Sequence, residues 1–325
     1  MIEKLNLTGP ADLLATIPHL LGITPSESFV VLTAHAGALG ATLRVDAPEH
    51  VEPVNYAQTL ASHAANDEKA TASYVVVYTD ENQDGYPYAA HVAALVSELA
   101  AARMPVRNVW LVTSSYWTEF GTDEEHPLEQ ITDSHANATF TFFGSATDID
   151  VYNPALLGTW AMPVQAPEGN DADIEAACTA WAAVLDSTGT PDHDTARSIA
   201  GAFQHKMVRD FLFRETITTQ NGNFADVILG TFNGRPDWNR VDRAQSIAFE
   251  LMKAVPAGQR APMLTFMGWL EWLKGNGTQA ARYLKHADTD APGFRLAGLL
   301  QELINRGSVA EVARGPETSY QRHNN

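Results

Sequence analysis

The chain has 325 residues, 45% of them hydrophobic and 18% charged, with a formal net charge of −18 and a pI near 4.9. That length suits two cores, because single cores split beyond about 250–300 residues, and the composition excludes a disordered chain. The acidity argues against nucleic acid or an anionic membrane as partner, since both ask for clustered Lys and Arg; the nearest such run, Arg235 to Arg243, is diluted by Asp237 and Asp242.

Residues 9–21 place Leu13, Leu14, Ile17, Leu20 and Leu21 at helical spacing, with Thr8 as the expected N-cap and Pro10 in the first turn. Residues 29–32 read as a buried strand and residues 41–45 as its antiparallel return across a glycine-bearing turn. A helix over 54–65, a strand over 74–78, a helix over 88–103 and a strand over 106–112 follow. Strand and helix alternating through short links is the mark of crossover units and parallel pairing. Residues 116–137 read as a polar excursion, and 138–143 as a further short strand.

Beyond residue 152 only helical patterns recur: 172–186, 194–215, 224–229, 240–254, 262–274, 278–287 and 294–305. The expected fold is therefore α/β, a mixed and mostly parallel sheet with flanking helices, followed by an all-helical, repeat-like C-terminal domain. The expected division is an α/β domain over 1–162, a linker over 163–171 with Pro167 and Gly169, a helical domain over 172–314 and a frayed tail over 315–325. No apolar run approaches the roughly 20 residues of a spanning helix, and residues 1–6 lack a secretion pattern. The expected compartment is the cytoplasm. Cys178, the single cysteine, allows no internal disulfide and reads as a small core residue.

Two segments carry a resemblance. Residues 9–22, continuing through Pro25-Ser-Glu-Ser-Phe-Val-Val31 to Arg44-Val-Asp46, and the tryptophan-bearing Gly268-Trp-Leu-Glu-Trp-Leu-Lys-Gly275 running on to Pro292, resemble an actinobacterial family catalogued as domain of unknown function 4192. That family brings no assigned activity, so the resemblance implies organisation rather than chemistry. Relatives commonly follow their Ser-Tyr segment with cysteines; here Ser114-Ser-Tyr-Trp117 is followed by acids. The helical hairpin over 262–290, with Gly268, Ala280, Leu284 and Ala287 where its helices touch and Pro292 closing the unit, also looks like a tetratricopeptide repeat.

If the strands ending at Val45, Tyr78 and Val112 run parallel, their carboxyl ends share one sheet edge, the usual ligand position in open α/β folds. That edge gathers Asp46, Asp80 with Glu81, Ser114 and Ser115; Ser26, Glu27 and Ser28 join from the strand that begins there, with Arg44 beside Asp46. Carboxylates, hydroxyls and a guanidinium suit a hard cation or a polar small molecule. They are equally ordinary turn residues, helix caps and a strand-face ion pair. His19, set among Ile17, Leu20 and Leu21, reads as a buried hydrogen-bonded anchor, with general-base work as its alternative.

Phosphate-loop, dinucleotide and nucleophile-elbow signatures are absent, and no histidine pair has zinc spacing. Asp148-Ile-Asp150, Asp171-Ala-Asp173, Asp192-His-Asp194 and Asp288-Thr-Asp290 lack the other ligands of a calcium loop and read as caps and turns. No cofactor and no metal is expected. Trp269 and Trp272 are candidates for a partner surface or, alternatively, for the core of a small bundle; Trp238 is a candidate contact between the halves. The leading expectation is a binding or scaffold protein with a helical interaction half, engaging a protein partner or itself. The alternative is a small-molecule or metal-dependent enzyme at the sheet edge.

Overall fold

The computed structural model describes residues 5–80, 86–142, 164–217, 224–232, 234–315 and 317–320. They fall into two compact units that divide near residue 150.

The first unit begins with α1 (Pro10–Leu21), β1 (Ser28–His35), β2 (Ala38–Asp46), α2 (Pro53–Ala64), β3 (Ala72–Tyr78), α3 (Ala89–Ala101) and β4 (Val106–Val112). Next come β5 (Tyr116–Glu119), β6 (His126–Pro127), α4 (Glu129–Thr132) and α5 (His135–Phe142). The strands form one mixed six-stranded sheet in the order β2-β1-β3-β4-β5-β6. Its central strands are continuous apolar runs because both faces are covered. Phe29, Val31, Val75, Val77 and Leu111 cluster with Tyr56 and Leu60 of α2 and Leu95 and Leu99 of α3. The alternate residues Val30, Leu32, Val76 and Trp110 cluster with Leu13, Leu14 and Ile17 of α1.

The expected sheet is mixed with flanking helices, and so it is, but its parallel share is smaller than expected. β1 lies between β2 and β3, antiparallel to both, so the only parallel pairing among the described residues is β3 with β4. β2, β3 and β4 nevertheless point the same way, as the edge argument requires.

Three local expectations are corrected. Residues 116–137 are not an excursion: β5 and β6 extend the sheet, and Trp117 is buried and stacked on His126 at 4.2 Å. The strand expected over 138–143 is helix α5 as far as Phe142; residue 143 lies outside the described residues. Ser134 Oγ accepts from the Asn137 amide at 3.1 Å, so a serine cap overrides the alternating Thr-Phe pattern. Thr8 is not the N-cap of α1. Gly9 holds that position, while the Thr8 amide and hydroxyl donate to Asp12 at 2.9 and 2.7 Å.

The second unit is helical throughout its described residues: α6 (Asp171–Asp186), α7 (His193–Gln204), α8 (Lys206–Ile217), α9 (Phe224–Ile228), α10 (Trp238–Ala254), α11 (Ala261–Leu273), α12 (Gly277–Asp290), α13 (Arg295–Asn305) and α14 (Glu311–Arg314). The helix expected over 194–215 is two, broken where His205 takes an extended backbone. Gly169, at φ +84, packs where a Cβ would collide with the His205 ring, so that position demands glycine twice over.

Helix α11 is apolar all round, as a central helix must be, and every residue of it but Glu271 is buried. It forms the expected hairpin with α12. A Cβ on Gly268 would lie 3.0 Å from Leu284 Cγ and 3.1 Å from the Ala280 carbonyl oxygen. Gly268→Val is therefore expected to destabilise the helical unit by about 1–3 kcal/mol through overpacking, read as a lowered urea midpoint; an unchanged midpoint would show that the two helices can part.

Residues 317–320 are held rather than frayed: the Trp238 indole donates to the Thr318 carbonyl at 3.0 Å, and Tyr320 donates to Asp242 at 3.0 Å. Trp238 is thus packed inside the helical unit, against its own C-terminal segment. Residues 321–325 of the expected tail lie outside the described residues.

Candidate functional site

The carboxyl edge forms as the strand directions dictate. Ser28 of β1 stands opposite Asp46 of β2 on one side and Tyr78 of β3 on the other, and Tyr78 stands opposite Val112 of β4. Residues just beyond these positions share the edge: Ser26, Glu27, Asp46, Asp80, Ser114 and Ser115 are exposed there, and Arg44 is half-buried. Glu81 and the Asp148–Asp150 pair lie outside the described residues.

The structure wires several of these residues to one another. Glu27 adopts φ 38, a left-handed conformation that non-glycine residues take at a cost of about 1–2 kcal/mol. From there its carboxylate accepts from the Thr79 hydroxyl at 2.7 Å and from the Asp80 amide at 2.9 Å. Asp80 in turn accepts from the Ser114 amide at 2.6 Å. The Thr113 hydroxyl accepts from the Ser115 and Tyr116 amides at 3.1 and 3.0 Å, folding the turn that carries both serines. Thr79 and Thr113 were not singled out from the sequence, because a threonine after a strand carries no distinguishing pattern.

On the β2 side, Arg44 pairs with Asp46 at 2.6 Å and donates to the Ser26 carbonyl at 3.3 Å. Asp46 is 81% exposed, so the pair is worth about 0–1 kcal/mol after screening. The Tyr56 hydroxyl donates to the Asp46 carbonyl at 2.8 Å, and burial, reinforced by the Asp46 charge, pushes its phenol well above the ordinary tyrosine range. Ser28 is fully buried, and its hydroxyl has no hydrogen-bond partner among the described residues.

Chemically, this is an edge whose carboxylates brace backbone amides and a guanidinium. Among the described residues, no group of three or more His, Cys, Asp or Glu side chains is placed to hold a metal ion. Cavities of about 650 and 240 Å³ are lined by other residues, the smaller at the start of α1 and the larger in the helical unit.

His19 is buried near the end of α1. Its Nε2 lies 2.9 Å from Asn137 Oδ1, and its ring stacks on Phe140 at 4.8 Å, so it ties α1 to α5. Trp269 and Trp272 do not reach the surface. Trp269 is fully buried with its indole donating to the Ile228 carbonyl at 3.0 Å, and Trp272 donates to the Ser308 carbonyl at 2.8 Å. Cys178 is partly buried against the helical core, and burial raises its thiol above the ordinary range. A protonated thiol there is a packing group, not a nucleophile.

A family model described as a domain of unknown function, DUF4192, matches residues 10–151 and 157–310. No curated protein and no solved structure matches the chain. No helix among the described residues is long and apolar enough to cross a membrane.

Proposed function

For this chain, which belongs to the DUF4192 family, we propose a non-enzymatic, cytoplasmic binding protein whose helical unit docks an acidic amphipathic segment of a protein partner. The observation that carries the proposal is the outer stripe of α8. Met207, Phe211 and Arg214 recur there at i, i+4 and i+7, one helix face, with Lys206 beside them, and all four are exposed. Met207 and Phe211 keep 47% and 37% of their surface in solvent.

The opposite face of α8 behaves as a core face should, burying Val208, Leu212, Phe213 and Thr216. The apolar stripe is thus a separate surface, not a failed core. Helix-in-groove and helix-on-face recognition uses such i, i+4 anchors. Among the described residues neither Lys206 nor Arg214 makes an ion pair, whereas the nearby Arg209 is spent on Asp210 at 2.8 Å and Glu215 on Arg240 at 3.1 Å. Two cations without an ion-pair partner among the described residues flank two apolar anchors, a local positive charge that an acidic apolar segment complements, even though the chain as a whole, at net charge −18, repels acidic partners. The carboxyl edge supports the enzyme alternative less, because Glu27, Asp46 and Asp80 are engaged by their own chain.

The test is fluorescence anisotropy with a labelled amphipathic helical peptide carrying Leu and Phe on one face and Glu on the other. Binding is expected, weakening as salt rises from about 50 to 300 mM and vanishing in the Met207→Glu, Phe211→Glu double variant. Equal binding by wild type and variant, or none by either, would sink the proposal. So would a doubled mass in light scattering that the variant abolishes, since that assigns the stripe to self-association.

A further inference from the structure

The Arg235–Arg243 run, dismissed above as a nucleic-acid patch, builds something else. Asp237 caps α10, accepting from the Asn239 and Arg240 amides at 3.1 and 3.2 Å. That places Arg240 and Arg243 one turn apart on one face, where they line the cavity of about 650 Å³ with Asp186, Ser187, Thr188 and Asn239.

The two arginines differ in how their charge is met. Arg240 is nine-tenths buried and held by two carboxylates, Asp186 at 2.6 Å and Glu215 at 3.1 Å. Arg243 is half-buried and donates to the Gly189 carbonyl, but no carboxylate among the described residues lies within ion-pair distance of it. Its Nε is buried without a partner among those residues. A partly desolvated guanidinium that meets no carboxylate is costly, and it stands out in a chain with 39 acidic and 21 basic residues.

We propose that this cavity is a binding site for a small organic carboxylate, best matched by the zwitterion of an α-amino acid, with Arg243 as its anchor. A planar guanidinium fork fits a carboxylate through paired hydrogen bonds. Thr188 and Asn239 add neutral polar groups at the wall. Asp186, 72% exposed, and Asp237 put negative charge at the rim. That rim disfavours a phosphate dianion and welcomes an ammonium group beside the carboxylate. Its wall is exposed at Asp186, Ser187, Thr188, Asp237 and Asn239, so it is an open depression that a small ligand enters directly from solvent.

The experiment is thermal shift followed by calorimetry on the full chain. The probes are the standard α-amino acids one at a time, with acetate and inorganic phosphate alongside. At least one amino acid is expected to raise the melting temperature saturably at about 10 mM. Arg243→Gln should weaken that binding about tenfold or more while leaving the unliganded melting temperature close to wild type. Thr188→Trp fills the cavity from an exposed position with Arg243 intact, and should abolish binding too, so the result does not hang on one variant. The proposal is overturned if no amino acid stabilises the protein, if the effect survives both variants, or if phosphate alone acts through Arg243.

Discussion

Replacing Trp269 by alanine is expected to cost the helical unit about 3–5 kcal/mol, a large fraction of the roughly 5–15 kcal/mol that holds a domain folded. Trp269 has no exposed surface, stacks on Phe213 at 4.8 Å and tilts against Phe266 at 6.0 Å. Its removal opens a void among rings that cannot all move inward, because Phe266 also meets Phe203 and Trp181. It also strips the Ile228 carbonyl of its donor. Trp269→Phe keeps a ring and drops the indole N–H, so its loss should be smaller, about 1–3 kcal/mol. Urea unfolding followed by helical circular dichroism separates the cases. A cost below about 1 kcal/mol for the alanine variant would deny the core role and reopen Trp269 as a contact residue.

That tryptophan shows what a sequence can say about helices and what it leaves open. Spacing placed α11 and α12 to within a few residues, and glycine and alanine at the contact positions identified where they touch. Spacing did not say which side of Trp269 and Trp272 faced solvent, because α11 is apolar all round and has no polar face to orient it. In the α/β unit, apolar runs located β1, β3 and the second half of β4, since strands buried on both faces need unbroken hydrophobic stretches, whereas the half-exposed outer strand β2 was located by the turn before it. Their order in the sheet was not legible: insertion of β1 between β2 and β3 is settled by long-range packing, which leaves no local signature.

Strand direction alone puts Ser26 to Ser28, Arg44, Asp46, Asp80, Ser114 and Ser115 along one sheet edge, in two separately bonded groups: Arg44 with Asp46 and Ser26, and Glu27 with Asp80 and Ser114. The wiring among them was invisible, because it depends on Glu27 taking a left-handed backbone that glutamate seldom adopts. At α5 the sequence was misleading, since a four-residue Thr-Phe alternation fits a strand as well as a short helix. Only Ser134 and the distant Asp12 decide between them.

Asp12 carries the last expected effect. It is a buried carboxylate near the start of α1, and its two oxygens are spoken for: Oδ2 accepts from the Thr8 amide and hydroxyl, and Oδ1 from the Ala136 amide of α5 at 3.0 Å. One side chain thus fixes the entry to α1 and docks a helix from residue 135 onward. Burial alone would raise its pKa, but the hydrogen bonds from Thr8 and Ala136 and the nearby His135 outweigh burial and hold it below the ordinary carboxylate value. A folded-state pKa below the unfolded one means the ionised form stabilises the fold. That stabilisation is complete above the unfolded value of about 4 and is lost as pH falls through the lower folded value. Asp12→Ala leaves the buried Ala136 amide without its acceptor and should cost about 2–3 kcal/mol at neutral pH. Asp12→Asn keeps one acceptor oxygen and should cost less, but it removes the titration. The difference in unfolding free energy between wild type and Asp12→Asn should therefore shrink between about pH 5 and pH 2, while the other carboxylates titrate alike in both proteins and cancel. A difference that stays constant across that range would mean that the Asp12 charge contributes nothing, and that α5 is held without it, by Ala136 packing and by the contacts of His19 with Asn137 and Phe140.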